Sequence, residues 1–247
     1  MTNKLTNIEF SDFESTYFKK QVYRLNNDIE LTRSALEAMI GTEYELIIAK
    51  SRESLNQNKI QNNAEFINVE WILKKYSGNI KENKNITLVN YTFYDKIDIE
   101  IFNKEFKVLF LRCFDRYENH YTFNNILKME EVGQFYIEYM TNILEKHEGK
   151  DLSGLVLKGE NSESLTFILS VINEEKVKII FNGTDPTFEN KGFYTYALQK
   201  YIFEMQRRGF EEFTIETQVT NHGVQKVWEK LGFKKDKYVK IQYIWNR

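Results

Sequence analysis

The amino-acid sequence predicts an α/β (α+β) fold in which helices flank a mixed, mostly antiparallel central sheet. Three strand-like runs, at 152–160, 165–173 and 176–184, are separated only by short polar turns, which indicates an antiparallel meander. A helical pattern at 191–208 follows, and then a strand-like run at 211–219. Such a β–α–β unit favours a parallel pair of strands. With 42% hydrophobic and 15% aromatic residues, the chain can bury a sizeable core.

Upstream of the meander, the pattern changes from a strand to helices. Residues 85–93 are β-branched and aromatic, which is typical of a strand. The segment from Val108 to His147 is mainly helical. One face of it carries apolar residues at helical spacing, namely Val132, Phe135, Tyr136, Tyr139, Met140 and Ile143.

Downstream of the meander, each predicted helix has identifiable ends. The helix at 191–208 has an apolar stripe and ends at Gly209. The next helix is capped by Asn221 and stopped by Gly232. The run YVKIQYIW, residues 238–245, is predicted to be the last strand.

Composition narrows the possible functions. The net charge of -2 provides no basic field for nucleic acid. The apolar runs are too short to span a membrane, and the first residues lack the apolar core of a signal peptide. A single cysteine, Cys113, can form neither an intrachain disulfide nor a cysteine metal cluster. We therefore expect a cytoplasmic protein with no bound metal, no nucleic-acid partner and no membrane partner.

The stretch DPTFENKGFYTYAL, residues 185–198, joins the third strand of the meander to the next helix. The first N–H groups of a helix have no intrahelical acceptor, and with the helix dipole they favour a bound phosphate. Gly192 permits close backbone approach there, and Lys191 adds a positive charge. The chain lacks GxxxxGK[ST] and GxGxxG, which argues against a P-loop and a Rossmann site. By itself, the turn also fits an ordinary helix start.

Two sequence blocks in this part of the chain resemble the GCN5-related N-acetyltransferases, the GNAT family. The family's [Q/R]xxGx[G/A] loop, which wraps the pyrophosphate of acetyl-CoA, corresponds here to Glu189, Asn190, Lys191, Gly192, Phe193 and Tyr194. Further along, Asn221 and the run VWEKLGF at 227–233 match a second family block. The resemblance covers residues 152–247 and implies the GNAT fold and acetyl transfer from acetyl-CoA.

The resemblance also implies how the cofactor is held. Backbone groups at a strand bulge near Phe181 and Asn182 would hold the thioester oxygen and the pantetheine. The loop at 189–194 would hold the pyrophosphate, and Asn221 would bond the pantetheine arm. Trp228, in the helix after Asn221, would also lie beside the cofactor.

Three positions depart from the family pattern. Glu189 replaces the usual Gln or Arg, Tyr194 replaces a Gly or Ala, and Trp228 stands where many members have a Tyr that protonates the leaving thiolate. An indole N–H does not ionise near neutral pH, so the proton must come from another side chain or from water. A histidine at a helix start can titrate near neutral pH, but is also typical of solvated surface. The candidate catalytic residues are Tyr194, His222, Tyr238 and Tyr243.

On the acceptor side, the sequence is most similar to sugar-nucleotide N-acetyltransferases of the dTDP-fucosamine type. Three stretches carry this similarity. SDFESTYFKKQVYRL resembles the opening strand, FDRYENHYTFN with QFYIEYMTNIL resembles the acceptor-side segment, and ETQVTNHGVQKVWEKLGF resembles the CoA-side segment. This similarity implies an amino sugar on a nucleotide as the acceptor. Arg116 would then pair a phosphate, and Tyr117 and Tyr121 would stack on a sugar or base.

The first part of the chain resembles the last. Residues 43–76 and 211–245 both predict a strand, a polar helix and an aromatic-rich strand, although any αβ sequence can be aligned in this way. We interpret residues 1–80 as a degenerate half-copy of the GNAT fold. A linker-like stretch at 77–85 divides it from the GNAT domain at 81–247.

Three functions stay open at this point. The first is acetyl transfer from acetyl-CoA to an amino sugar on a nucleotide. The second is acetyl transfer to another small amine, such as an amino acid, a polyamine or an aminoglycoside. The third is a CoA-binding protein of the GNAT fold with little or no turnover. The expected partner of the enzyme is a small-molecule amine, and a homodimer is compatible with either enzyme.

Overall fold

The computed structural model of the chain describes residues 8–26, 45–54, 66–74, 76, 86, 89–115, 117–147, 151–174 and 176–246. Ten strands lie within these ranges: β1 (Ile8–Phe10), β2 (Val22–Asn26), β3 (Leu46–Ser54), β4 (Phe66–Lys74), β5 (Asn90–Tyr94), β6 (Leu152–Lys158), β7 (Ser164–Asn173), β8 (Lys176–Thr184), β9 (Glu212–Gln218) and β10 (Lys234–Asn246). They form one sheet in the order β1-β2-β3-β10-β4-β9-β8-β7-β6-β5. The pairs β2/β3 and β8/β9 are parallel and the other described pairs are antiparallel. The predicted mixed, mostly antiparallel sheet is therefore confirmed.

The described helices are α1 (Asp12–Phe18), α2 (Ile99–Ile101), α3 (Lys107–Phe114), α4 (His120–Phe123), α5 (Val132–His147), α6 (Phe193–Arg207) and α7 (His222–Lys230). A π-helical turn, Phe102–Phe106, joins α2 to α3 without a break. Short 3-10 turns at Met129–Glu131 and Pro186–Phe188 precede α5 and α6.

The structure confirms the meander of β6, β7 and β8 and the parallel pair made by β8, α6 and β9. Several predicted elements differ from the structure in extent or in type. The last strand, predicted at 238–245, begins at Lys234. The strand predicted at 85–93 begins only at Asn90. The helical region begins at Ile99 rather than Val108, because the Asp98 carboxylate accepts the Ile101 N–H and caps the first turn. The stretch predicted to be an opening strand contains α1 before β2.

Two apolar cores lie on opposite faces of the sheet, because alternate strand residues point to opposite faces. In β6, Leu155 and Leu157 pack with α6 and α7, while Leu152 and Val156 pack with α2, α3 and α5. A third core adjoins the second through α5 and contains residues of α1, α4, β2, β3 and β10. The long helix α5 therefore lies over both ends of the sheet.

The two ends of the sheet follow the same strand plan. Strands β1, β2 and β3 pair first antiparallel and then parallel, as do β7, β8 and β9. Strand β3 then pairs antiparallel with β10, and β9 pairs antiparallel with β4. The predicted half-copy is therefore confirmed, with its last strand exchanged for that of the other half. The front segment (residues 1–80) supplies β4, and the back segment (residues 81–247) supplies β10.

The boundary between these segments near residue 80 stays a prediction, because the linker-like stretch at 77–85 lies outside the described residues. In the parts of the chain that the structure describes, no helix is long and apolar enough to cross a membrane. Within the same parts, no group of three His, Cys, Asp or Glu side chains could hold a metal ion.

Candidate active site

Strands β8 and β9 separate partway along their length. Their parallel pairing ends at Ile179 and Ile215, although both strands continue beyond these residues. In the register of β8 with β7, one extra residue, Ile180, lies between Ile179 and Phe181. Such a bulge bends a strand and increases its twist. The backbone of β8 near Phe181 is therefore turned away from β9, and a gap opens in the middle of the sheet.

A cavity of about 540 Å³ lies at this gap. Helix α7 lines it on one side with Asn221, Val224 and Trp228. The opposite wall comes from the α4 and α5 region and is rich in aromatic and amide side chains, namely Tyr117, Asn119, His120, Tyr136 and Tyr139. Since α7 and α5 cover opposite faces of the sheet, the cavity connects the two faces through the gap.

The predicted anion-binding turn lies at the end of β8. Gly192 is the N-cap of α6 and has a φ of 84°, in the left-handed region that favours glycine. Glu189 is exposed, and so is Lys191, whose ammonium donates to the Thr187 carbonyl oxygen at 3.3 Å. Asn190 also has a positive φ, of 60°. The loop therefore presents backbone N–H groups at a helix start, with the Glu189 side chain in contact with solvent.

The side chains of Asn182, Tyr194 and Trp228 form a hydrogen-bonded chain across the gap. The Trp228 indole donates to the Tyr194 hydroxyl at 2.8 Å, and that hydroxyl donates to Asn182 Oδ1 at 2.8 Å. Burial raises the pKa of Tyr194, although the indole hydrogen bond opposes the rise. A phenol with a raised pKa whose proton is already donated is a poor acid. The geometry therefore gives Tyr194 and Trp228 the role of tying α6 and α7 to β8.

Several predicted site residues lie away from the cavity. His222 is exposed at the first turn of α7 and does not line the cavity. Tyr121 is only 2% exposed, and its phenol hydrogen-bonds the Glu14 carboxylate instead of facing the cavity. Phe193 packs against Phe188 and the core beneath α6. Arg116 and the side chain of Tyr238 lie outside the described residues, as does the side chain of Tyr243.

Of the predicted acceptor residues, Tyr117 lies in the cavity wall, next to Asn119 of the same segment, and its contact with an acceptor stays a prediction. Tyr117 lines the cavity and contacts Phe114 and Tyr136 edge to face. Asn119 is 1% exposed, caps α4 by accepting the Tyr121 and Thr122 N–H groups, and also lines the cavity. The segment is held to the sheet by Gln218 of β9, whose amide donates to the Glu118 carbonyl oxygen at 2.5 Å.

A charged cluster lies beneath this wall, and its members Glu216 and Lys178 line the cavity. Glu216 of β9 accepts from Lys178 of β8 at 3.3 Å and from Lys240 of β10 at 2.5 Å. Lys240 also pairs with Glu70 of β4 at 3.3 Å. Burial acts to raise the pKa of Glu216, but the Lys178 and Lys240 ammonium groups hold it below its ordinary value. The Glu216 carboxylate that lines the cavity is therefore ionised at neutral pH.

Glu216 lies outside the family motifs, but the alternation of residues along β9 indicates it. In β9, Phe213 and Ile215 are buried, so the alternate residues Thr214, Glu216 and Gln218 face the other side of the sheet. A strand with one apolar and one polar face, placed next to the predicted cofactor strand, indicates a polar floor. Asn68 of β4 lines the same floor, but only the strand exchange brings it there.

Cys113 lies outside this chemistry. Burial and the nearby carboxylates of Asp185 and Glu189 raise the pKa of its thiol to about 12, although Arg112 opposes the rise. The β-carbon that an alanine at Gly183 would add lies 3.0 Å from Cys113, so the thiol packs directly against the backbone of β8. A thiol with this pKa is not a nucleophile at neutral pH.

Comparisons with known proteins bear on the family and on the fold. The family model described as the acetyltransferase (GNAT) family matches residues 100–233. A curated relative, N-alpha-acetyltransferase 30 from Xenopus laevis, is 33% identical over 62 residues, which are 25% of this chain and 23% of that protein. The match to this relative therefore spans less than a quarter of its length.

Two solved structures are similar over most of the chain. A tandem GNAT protein from the clavulanic acid biosynthesis pathway, solved without acetyl-CoA, is 9% identical with a TM-score of 0.58 over 91% of this chain and 75% of that one. A conserved protein of unknown function from Staphylococcus epidermidis is 10% identical, with a TM-score of 0.58 over 92% of this chain and 85% of that one. At this identity the likeness concerns the fold alone, and a tandem neighbour fits the repeated strand plan.

Proposed function

This chain belongs to the GNAT family of acetyltransferases, and on that premise we propose that it moves an acetyl group from acetyl-CoA to a primary amine on a small molecule. The observation that carries the proposal is the cavity at the gap between β8 and β9. One side of the cavity is formed by α7, next to the start of α6. The other side is formed by tyrosine and amide side chains and by the ionised carboxylate of Glu216.

The residues on the α6 and α7 side suit the cofactor. The start of α6 at Gly192 offers backbone N–H groups and the helix dipole to a pyrophosphate. The bulged backbone of β8 near Phe181 has lost its β9 partner, and Asn221 lines the cavity from α7. When bound, acetyl-CoA supplies an acetyl group activated as a thioester. The chain's own contribution there is to hold and orient its ligand, which alone can account for much of the rate.

On the opposite side, Glu216 is the group that suits an amine. Its carboxylate is ionised at neutral pH and lines the cavity, so it attracts an ammonium and can accept the proton that the nitrogen loses. The neighbouring phenols are less suited, because burial raises the pKa of Tyr117, Tyr136 and Tyr139. We assign to these phenols the roles of shaping the cavity and hydrogen-bonding the acceptor. We assign to Glu216 the role of accepting the proton of the amine.

The charges around the cavity favour a small amine without phosphates. Among the described residues that line the cavity, Lys178 is the single lysine or arginine, and it is paired with Glu216. A nucleotide would need cations that are free to meet its phosphates. A second candidate, an amino sugar on a nucleotide, draws support from the wall of tyrosines and amides, which suits the rings and hydroxyls of a sugar.

The test of this proposal is binding followed by turnover. Isothermal titration should detect acetyl-CoA, and a free-thiol assay should detect its consumption in the presence of an amine from a panel of amino acids, polyamines, aminoglycosides and dTDP-amino sugars. Consumption with a small amine and not with a dTDP-amino sugar supports the first acceptor class. The reverse result supports the second. Binding without turnover for any amine would contradict both and favour a binding protein.

A glycine pair at the two ends of α6 tests the cofactor site. Gly192→Val should raise the Kd for acetyl-CoA at least about tenfold, because a side chain blocks the backbone approach and strains a positive φ. Gly209→Val is the matched control, since Gly209 also has a positive φ, of 93°, and an added β-carbon there meets no atom within 4 Å. If both variants bind acetyl-CoA as tightly as the parent, the site is elsewhere.

A further inference from the structure

We propose that the front segment takes part in the acceptor chemistry through Glu70, which acts together with Lys240 as a pair of positioning residues for Glu216. The Lys240 ammonium keeps the Glu216 carboxylate ionised and fixed in place. Glu70 weakens this effect because it shares the same ammonium and repels the Glu216 charge. This inference rests on the proposed function, in which Glu216 receives the acceptor amine. It goes beyond that function because it assigns a role to the half-copy, which supplies few of the cavity-lining residues.

The strand exchange is what places these residues together. Glu70 on β4 is the direct cross-strand partner of Glu216 on β9, so two carboxylates stand side by side on one face of the sheet. Two like charges in such positions repel each other unless a cation lies between them. Lys240 of β10 supplies it, with its ammonium 2.5 Å from Glu216 and 3.3 Å from Glu70.

The three charged side chains are partly shielded from water, so the interactions between their charges are strong. The side chains of Glu70, Glu216 and Lys240 are 16%, 23% and 29% exposed. Charges that are partly withdrawn from water interact more strongly and are screened less by salt than exposed surface pairs. Removing the cation from between two such carboxylates should therefore change the proton affinity of both.

The other described groups that face Glu216 come from β8 and from the opposite wall of the cavity. Lys178 of β8 reaches it from the side opposite Lys240, and its side chain is 48% exposed. Across the cavity lie His120 and the phenols of Tyr117, Tyr136 and Tyr139. Burial keeps these three phenols protonated at neutral pH, so they add no charge near Glu216.

The proton has a defined path in this proposal. An amine attacks only after its nitrogen has lost the ammonium proton, so one N–H bond breaks and one O–H bond forms on the Glu216 carboxyl. The carboxyl then returns the proton to water through the open cavity. A carboxylate that already binds a proton at the working pH cannot do this. The proton affinity of Glu216 therefore sets the lower pH limit of the acceptor step.

The test measures Glu216 directly in the cofactor-free protein. Carbon-13 NMR of the glutamate side-chain carboxyls, with Glu216 assigned by its loss in Glu216→Gln, gives its titration in the parent and three variants. Lys240→Met should move the titration to higher pH, because an attraction is lost and Glu70 is no longer neutralised. Glu70→Gln should move it to lower pH. The double variant should titrate below Lys240→Met, since the repelling charge is gone.

Kinetics provide the second readout. With the best amine of the panel, Lys240→Met should lose at least about fivefold in kcat/KM at pH 5.5 relative to the parent, and less than about twofold at pH 8.5. Adding Glu70→Gln should restore most of the loss at pH 5.5. A merely structural effect of Lys240→Met would lower activity equally at both pH values, and that result would overturn the proposal.

The two readouts separate this inference from the proposed function. An unmoved Glu216 titration in Lys240→Met and Glu70→Gln overturns the coupling, whatever the activity. A moved titration without turnover on any amine overturns the proposed function and, with it, the role of the coupling in acceptor chemistry. Glu70→Gln keeps the side-chain shape, so its titration decides the question if Lys240→Met does not fold.

Discussion

The two parallel strand pairs of the sheet, β2/β3 and β8/β9, occupy matching places in the repeat but differ in what they enclose. Strands β2 and β3 stay paired from Val22 to Asn26. Strands β8 and β9 separate beyond Ile179, where β8 carries its bulge. The face of the front pair is closed by buried Val22, Leu46 and Ile48. The face of the back pair carries Lys178, Glu216 and Gln218 at a cavity.

This difference shows that the order and direction of the strands are not sufficient to form a ligand site. A cavity arises here because a bulge turns one strand aside and because the strand beside it has a polar face. In the front pair, apolar side chains of β2 and β3 pack beneath α1 and α4 and leave a closed core. The front segment therefore contributes to the site through Asn68 of β4 in the floor and through the elements that support α4.

The largest expected effect comes from separating the two segments. A chain of residues 81–247 should not fold, because β4 pairs with β9 and β10 at once and carries Trp71 and Leu73 into the core with Trp228. Loss of two such side chains alone costs on the order of 5–10 kcal/mol, comparable with the total stability of a domain. Circular dichroism and size-exclusion chromatography of the isolated fragment test this.

Coexpression of residues 1–80 with that fragment is the control and should restore a folded complex. If residues 81–247 alone form a monomer that unfolds cooperatively, the boundary near residue 80 delimits an autonomous domain. The strand exchange would then be dispensable for folding, and the contrast between the two halves would lose its physical basis.

Much of the back segment could be predicted from the sequence because its signals are local. Strand-like apolar runs between short polar turns predicted β6, β7 and β8, and Asn221 and Gly232 marked the ends of α7. The turn at Gly192 followed from glycine's backbone freedom and from a resemblance in two short blocks. These features depend on residues close together in the chain, so the sequence pattern is sufficient to place them.

The features that could not be predicted depend on distant parts of the chain. Exchange of β4 and β10 makes Glu70 a neighbour of Glu216, and no local pattern indicates which strand of a repeat pairs with which. Tyr121 was expected to stack on the acceptor because its segment resembles the acceptor side of sugar-nucleotide acetyltransferases. It is buried instead, since Glu14 and Arg24 of the front segment supply partners for its hydroxyl.

That buried cluster gives the second prediction. Glu14 is 1% exposed and pairs with Arg24 at 2.5 Å, so Glu14→Ala leaves a largely buried cation without its partner. The expected loss of stability is about 3–5 kcal/mol by urea denaturation. Asp95→Asn is the control, because Asp95 is 72% exposed in its pair with Arg208 and should cost less than about 1 kcal/mol.

The same pair predicts a pH dependence. Burial acts to raise the pKa of Glu14, but hydrogen bonds and the charge of Arg24 hold it below its ordinary value. A carboxyl with a depressed folded-state pKa contributes stability above its unfolded pKa and loses it as pH falls through the folded value. The gap in stability between parent and Glu14→Ala should therefore narrow on acidification below about pH 4.5. A gap that is constant down to pH 2.5 would mean that packing, not charge, accounts for it.

The smallest expected effect concerns His222, which the sequence placed among the catalytic candidates. It lies next to Asn221, but its side chain is exposed and does not line the cavity. His222→Ala should change kcat/KM by less than about twofold at every pH between 6 and 9, as is usual for a surface substitution away from specific contacts. Asn221→Ala is the matched comparison, because Asn221 lines the cavity and caps α7 by accepting the Val224 N–H. Asn221→Ala should weaken acetyl-CoA binding, because a cavity-lining amide is lost, and should lower the free energy of unfolding by about 1 kcal/mol, because a helix cap is lost. If His222→Ala instead removes a limb of the pH profile, His222 takes part in proton transfer during turnover, and the assignment of the amine proton to Glu216 fails.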